Sequence, residues 1–266
     1  MSRDARWNAL LELLAAHGRV DVEEAATTLE VSAATIRRDL DQLAEQQMLT
    51  RTRGGAVAHG VSYELPLRYK TARHASEKQR IGRAVAALVP VGGVVGLTGG
   101  TTVTEVARGL SVRTDIGGDG AAGGNAPPAL TVVTNALNIA NELVIRPQIK
   151  IVVTGGVARP QSYELTGPLA RGVLEEITLD VAVLGVNAID VRDGAYVHHE
   201  GEAAVNRLLA ERAQRVVVAA DSSKIGRRAF ARVCELPRID VLVTDTAIGD
   251  ADADAFREAG VTVIAV

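Results

Sequence analysis

The chain has 266 residues, of which 47% are hydrophobic, and a formal net charge of −3 at pH 7. This length suits one or two domains with a sizeable core, and the charge excludes a protein that coats nucleic acid through a basic surface. No apolar run approaches a bilayer span, and the single cysteine excludes an internal disulfide or a cysteine-rich metal site, so we expect a protein of the cytoplasm.

Three short helices are predicted at the amino terminus. Leucines recur at helical spacing over residues 5–16, and Gly18 is placed to end this first helix. Residues 22–29 form the second helix. Ser32 is suited to cap a third, which runs to about residue 47. The buried face of the third helix carries Ile36, Leu40 and Leu43.

The opposite face of the third helix is suited to contact DNA. Near its start this face carries small and cationic residues, namely Ser32, Ala33, Thr35, Arg37 and Arg38. Small side chains permit close approach to a major groove, and arginine binds guanine edges or phosphates. The alternative is a solvated helix face with no ligand.

A β-hairpin is predicted to follow over residues 49–57. Arg51 and Arg53 alternate along it, and Gly54 and Gly55 supply the bend. Arginines on such a hairpin would rest on the sugar-phosphate backbone. A helix-turn-helix followed by this wing predicts a DNA-binding domain over residues 1–58.

A second domain is predicted over 76–266, after a linker at 59–75. Ser76 and Gln79 have capping-box spacing for its first helix. Seven short runs rich in Val and Ile then alternate with helical stretches, which indicates a mostly parallel sheet buried on both faces. Residues 116–128, rich in Gly, Ala and Pro, are expected to be a flexible insertion.

The loop after the first strand of this sheet is predicted to hold an anion. It reads Thr98-Gly99-Gly100-Thr101-Thr102 and leads into a helix. Glycines permit close backbone approach, the helix start offers unpaired N–H groups, and the hydroxyls of Thr101 and Thr102 donate to a phosphate. The alternative is a tight corner between a strand and a helix.

Other strand ends carry groups suited to the same ligand. Asn135 is placed to bind a hydroxyl, Gly155 and Gly156 permit approach of backbone amides, and Lys224 is placed to neutralise a phosphate. Ligands of open α/β sheets bind at these carboxyl ends. The alternative for Lys224 is a surface lysine.

The segments Val31 to Leu40 and Arg51 to Ala56 resemble the recognition helix and wing of the DeoR family of bacterial regulators. The resemblance implies an α/β fold class: an N-terminal winged helix-turn-helix, then a Rossmann-like sensor domain with a mostly parallel sheet, similar to ribose-5-phosphate isomerase. It implies a phosphate loop at Gly100, Thr101 and Thr102. It also implies sugar or phosphate contacts at Asn135, Gly155, Gly156, Asp180 and Lys224.

Some positions depart from the family pattern. Arg53 stands where histidine is more common, Thr98 where aspartate is, and Ala188 where glycine is. The last two affect the sugar specificity. Asp180 precedes a strand, so a strand-initiating cap is an alternative to a ligand contact.

The predicted function is a repressor that binds double-stranded operator DNA and responds to a phosphorylated sugar or polyol. The resemblance implies a homodimer or homotetramer. The alternative is a sugar-phosphate isomerase or deaminase with a DNA-binding head, although no pocket loop presents an obvious carboxylate base. No cofactor is expected, and the adjacent His198 and His199 point to different faces, which disfavours a metal site.

Overall fold

The computed structural model describes residues 1–45, 48–57, 67, 74–116 and 128–266. The chain divides into two compact units, residues 1–70 and 71–266. Most of the predicted linker and residues 117–127 of the predicted insertion lie outside the described residues. Ile116, however, is fully buried in the core of the second unit. The prediction that the flexible insertion begins at residue 116 is therefore wrong, because the packed chain extends at least that far.

Over residues 1–45 and 48–57, the first unit contains three helices and a small antiparallel sheet. Its elements are α1 (Arg3–His17), β1 (Arg19–Asp21), α2 (Val22–Thr28), α3 (Ala33–Glu45), β2 (Thr50–Arg51) and β3 (Gly55–Val57). Gly18 ends α1 in the left-handed conformation, at a φ of 71°. The sheet order is β1-β3-β2. The predicted hairpin is thus present, and β1 adds an edge that the sequence analysis did not predict.

The core of the first unit confirms the predicted helical faces. Leu10, Leu11 and Leu14 of α1 are fully buried, together with Ile36, Leu40 and Leu43 of α3. This packing turns the opposite face of α3 to solvent.

The second unit is built on one parallel sheet. Its helices are α4 (Ala75–Leu88), α5 (Thr101–Ser111), α6 (Leu137–Leu143), α7 (Leu169–Glu175), α8 (Glu200–Arg212) and α9 (Asp250–Glu258). Its strands are β4 (Val94–Leu97), β5 (Leu130–Thr134), β6 (Ile149–Val153), β7 (Val157–Ala158), β8 (Leu165–Thr166), β9 (Leu179–Gly185), β10 (Ala188–Asp190), β11 (Gly194–Val197), β12 (Ala213–Ala219), β13 (Ala231–Cys234), β14 (Val241–Thr244) and β15 (Thr262–Ala265). All seven predicted apolar runs form strands of the main sheet.

The predicted cap of α4 is wrong. His74 occupies the capping position in a left-handed conformation, and α4 already includes Ser76. The Ser76 hydroxyl donates to the Glu77 carboxylate at 2.9 Å, so it does not bond the helix start. The cap lies at residue 74 and not at 76, so the helix begins two residues earlier than the capping-box spacing predicts.

The main sheet has the order β15-β14-β12-β9-β4-β5-β6, with every neighbouring pair parallel. Alternate residues of β9 point to opposite faces: Val181 and Val183 join one apolar cluster, Ala182 and Leu184 the other. Helices α4, α5 and α6 pack on the first face, and α7, α8 and α9 on the second. The chain runs outward from β4 in one direction and from β9 in the other, which creates a switch point between them.

Candidate DNA interface and effector site

The start of α3 presents the predicted DNA-binding residues to solvent. Ser32, Arg37 and Arg38 are exposed, whereas Ala33 and Thr35 are half-buried. The Ser32 hydroxyl accepts from the Thr35 amide at 3.2 Å, as a helix cap does. The outward face is therefore small and cationic, which suits insertion into a major groove.

Two of the predicted DNA-binding arginines form ion pairs with acidic residues of their own unit. Arg37 bonds Glu23 of α2 at 2.8 Å, and both side chains are exposed. Arg51 bonds Asp41 at 2.7 Å and also donates to the Gly55 carbonyl, which ties it into its own hairpin. Arg53 is exposed on the wing. Exposed ion pairs contribute about 1 kcal/mol or less, so a phosphate group competes readily for Arg37.

A buried carboxylate fixes the position of α3. Asp39 is 2% exposed and accepts from the guanidinium of Arg6 and from the indole N–H of Trp7, the latter at 2.9 Å. The hydrogen bonds that the guanidinium donates to Asp39 raise the pKa of Arg6. Both partners lie on α1, so this bonding joins the recognition helix to the first helix.

The glycine-rich loop of the second unit lies at the switch point of the sheet. Thr98 follows β4, is fully buried, and its hydroxyl accepts from the amide of Gly185 at the end of β9, at 2.8 Å. Ala188, which with Thr98 departs from the family pattern in this unit, is buried at the start of β10. The crevice beside a switch point is where open α/β sheets bind ligands.

The predicted phosphate loop leads directly into α5. Gly100 precedes the helix at a φ of 107°, a conformation that favours glycine. Thr101 and Thr102 open the helix, so their amides and the next one lack acceptors within the helix. An anion placed there would receive these donors together with the favourable end of the helix dipole.

A buried polar cluster that the sequence analysis did not predict lies beside this loop. Asn135, which is 0% exposed, follows β5; its side-chain nitrogen donates to the Glu164 carboxylate at 3.0 Å and to the Asn206 oxygen at 3.4 Å. Glu202, one turn before Asn206 on α8, bonds Arg159 at 2.9 Å. The sequence showed no obvious carboxylate base in a pocket loop, whereas the structure places the buried carboxylate of Glu164 at this edge, between β7 and β8.

The available sequence signal for this cluster was the polar pair Glu202 and Asn206. Residues four apart share one helix face, and this pair interrupts the apolar stripe of α8. No comparable sequence pattern indicated that Glu164 belongs to this cluster.

Gly155, Gly156 and Lys224 also lie at the carboxyl ends of their strands. Gly155 and Gly156 follow β6 with φ of 76° and 123°. Lys224 is half-buried in a single turn, Ser222–Lys224, that follows β12. Strands β4, β5, β6 and β12 therefore bring the loops with Gly100, Asn135, Gly155 and Lys224 to one edge of the sheet.

Asp180 does not lie at this edge. It is the second residue of β9, and its carboxylate accepts from the Val94 amide at the start of β4, at 2.7 Å. The site edge is about 16 Å away along the strand. The interpretation of Asp180 as an effector contact is therefore corrected: this carboxylate joins the amino ends of two strands.

Asp245 supports the turn that carries Lys224. Its carboxylate accepts from the amides of Ser222, at 2.7 Å, and Ala247, at 3.0 Å. Burial acts to raise the pKa of Asp245, but these backbone hydrogen bonds outweigh it and the net pKa is lowered.

The lowered pKa predicts how Asp245 affects acid stability. A carboxyl with a depressed folded-state pKa stabilises the protein above its unfolded pKa of about 3.9 and loses this effect as the pH falls through the folded value. Asp245→Asn should therefore lower the free energy of unfolding at pH 7 and much less near pH 3. Urea unfolding followed by circular dichroism at both pH values measures this, and an equal loss at both would contradict the prediction.

The two adjacent histidines form hydrogen bonds within the second unit. His199 caps α8 by accepting from the Gly201 amide at 3.1 Å, and the His198 amide donates to Asn187 at 3.0 Å. Among the described residues, no three His, Cys, Asp or Glu side chains lie close enough to hold a metal ion.

No helix within the described ranges combines the length and hydrophobicity that crossing a bilayer requires.

Two family models together match most of the chain. Residues 6–60 match the DeoR-like helix-turn-helix domain, and residues 73–246 match the DeoR C-terminal sensor domain. The chain belongs to the DeoR family. The family resemblance found in the sequence is confirmed, and this DeoR-family protein is a DNA-binding transcriptional regulator.

Relatives of this DeoR-family regulator align along nearly their whole length. It is 32% identical to the glycerol-3-phosphate regulon repressor of Escherichia coli K12, over 92% of each chain. It is 34% identical to the transcriptional repressor GlcR of Bacillus subtilis, over 99% of this chain and 96% of the relative.

Solved structures similar to the regulator include an isomerase and another regulator. Ribose-5-phosphate isomerase A of Methanocaldococcus jannaschii matches with a TM-score of 0.40 and 17% identity, over 57% of this chain and 55% of that one. The sorbitol operon regulator SorC of Klebsiella pneumoniae matches with a TM-score of 0.39 and 14% identity, over 89% and 94%.

Proposed function

We propose that this chain is a cytoplasmic repressor of carbohydrate-metabolism genes whose operator affinity changes when a phosphorylated sugar or polyol binds the second unit. The observation that carries the ligand class is the start of α5 at the switch point, where the first helix amides lack acceptors within the helix and where Thr101 and Thr102 are the first two residues. These donors suit a dianionic phosphate, whereas a neutral sugar would leave them bonded only to water. The name of one relative, the glycerol-3-phosphate regulon repressor of Escherichia coli K12, supports the same class.

The response follows from linkage between two binding events. An effector changes operator affinity only if it binds the DNA-competent and DNA-incompetent states differently, and the coupling is reciprocal. We propose that the regulator acts as a homodimer or homotetramer, because a symmetric assembly suits repeated operator half-sites.

If the effector is a phosphate ester, two single substitutions in the second unit should weaken effector binding without weakening operator binding. Thr102→Val and Lys224→Ala should each weaken phosphate-ester binding by about tenfold or more, because each removes one hydrogen bond to a charged group. Both residues lie in the second unit, outside the winged helix, so operator affinity without effector should stay at the parent level. Calorimetry of the full chain with paired sugars and sugar phosphates, together with operator titrations, measures both effects.

Matched controls are Thr262→Val and Lys150→Ala, which change exposed residues away from the carboxyl edge. Equal affinity for sugars and their phosphates would overturn the proposal.

One observation favours the alternative function, a sugar-phosphate isomerase: the buried carboxylate of Glu164 lies at the edge of the site. Proton abstraction from a sugar phosphate requires such a base. Steady conversion of a sugar phosphate by the parent, lost in Glu164→Gln, would favour this second function.

A further inference from the structure

The carboxylate of Glu164 lies directly against the glycine-rich loop. A Cβ atom added at Gly99 would meet the Glu164 side chain at 2.4 Å, and its Oε1 at 2.5 Å. Only a residue without a side chain leaves room for this contact. Glu164 is 5% exposed. A buried carboxylate therefore contacts Gly99, one residue before Gly100, in the loop in which we place the phosphate.

The backbone holds Glu164 in this position. Its carbonyl accepts from the Arg159 amide at 2.9 Å, and the next amide, of Leu165, donates to the Asn135 carbonyl at 2.6 Å. Ala136 and Glu164 also form an antiparallel bridge. The carboxylate is thus pre-positioned, as a residue that recognises a ligand must be.

The side chains of Asn135 and Asn206, which lie beside Glu164, also carry hydrogen-bond acceptors. The side-chain nitrogen of Asn135 donates to both Glu164 and Asn206. Within the described residues, the side-chain oxygen of Asn135 is buried and receives no hydrogen bond. A buried acceptor without a donor is costly, and a ligand that brings a donor removes this cost.

We propose that Glu164 and Asn135 determine the specificity of the effector site by accepting hydrogen bonds from hydroxyl groups on the carbon chain of the ligand. This inference rests on the proposed function. The same carboxylate repels a second anionic group, so the site selects polyhydroxylated phosphate esters and rejects their carboxylated counterparts. Phosphorylated polyols and sugars are thereby separated from phosphorylated sugar acids.

Calorimetry of the full chain tests this selection with matched pairs that differ only in a terminal hydroxymethyl or carboxylate group. The pairs are glycerol phosphate against phosphoglycerate and sorbitol phosphate against phosphogluconate, with inorganic phosphate as the probe of the loop alone. The parent should bind the hydroxylated member of at least one pair about 10-fold to 100-fold more tightly than its carboxylated partner. Glu164→Gln should reduce this ratio to about threefold or less without weakening inorganic phosphate. Glu176→Gln, which changes an exposed carboxylate, should leave the ratio at the parent value.

The outcomes separate this inference from the proposed function. If no phosphate compound binds, both fail. If inorganic phosphate binds but no hydroxylated ligand binds more tightly, or if paired ligands bind equally to the parent, only the selection by Glu164 is overturned. This parental comparison needs no variant, so it decides the matter even if Glu164→Gln does not fold. A parental ratio that persists in folded Glu164→Gln also overturns the role of Glu164.

Discussion

Asp39→Ala should lower the free energy of unfolding of the first unit by about 2–4 kcal/mol. The substitution leaves the Arg6 guanidinium and the Trp7 indole N–H without their shared acceptor, and Arg6 keeps only a small exposed fraction. Removing one partner of a buried ion pair leaves an uncompensated buried charge, which is strongly destabilising. Trp7 is the only tryptophan, so its fluorescence during urea unfolding reports on this unit selectively.

Asp41→Ala is the matched control for this effect. Asp41 lies two residues further along α3, its side chain is 60% exposed, and its ion pair with Arg51 lies at the surface. Loss of an exposed pair should cost about 1 kcal/mol or less. Equal urea midpoints for the two variants would show that the buried carboxylate does not hold α3 to α1.

The main elements of the fold were predictable because their signals are local. Leucine spacing and Gly18 defined α1, and seven apolar runs defined the strands of a sheet whose two faces are both buried. The short strands β7, β8, β10, β11 and β13 were not predicted. These strands have two to four residues and lack the Val-rich and Ile-rich runs that marked the main sheet, and their pairing depends on the tertiary context.

The site was predictable to the extent that strand ends define it. Gly100, Asn135 and Lys224 follow strands that the sequence identified, and parallel strands bring their carboxyl ends together. The contacts of Glu164 with Gly99 and Asn135 join positions tens of residues apart, which the sequence pattern does not encode. Asp180 was wrongly assigned to the effector site because it lies at the amino end of β9, whereas the site is formed by the carboxyl ends of the strands.

Arg37→Ala and Arg38→Ala should each remove tight operator binding while the second unit keeps its fold. Both side chains are exposed on the recognition helix, so the loss is one of contacts and not of core packing. A contact with a base should contribute about 1–3 kcal/mol to the binding free energy, and its loss should relax the base preference at one operator position. Loss of a phosphate contact should instead reduce the slope of log affinity against log salt concentration by about one. Fluorescence anisotropy over a salt series, with DNA selected from a random pool by the parent, separates these cases.

Two controls make this measurement specific to the recognition helix. Arg83→Ala removes the same charge from an exposed position in the second unit and should leave the affinity unchanged. Glu23→Gln frees Arg37 from its intramolecular ion pair at 2.8 Å, so the affinity for DNA should stay the same or rise slightly. If both arginine variants bind the selected DNA like the parent at every salt concentration, then α3 is not the helix that reads the operator.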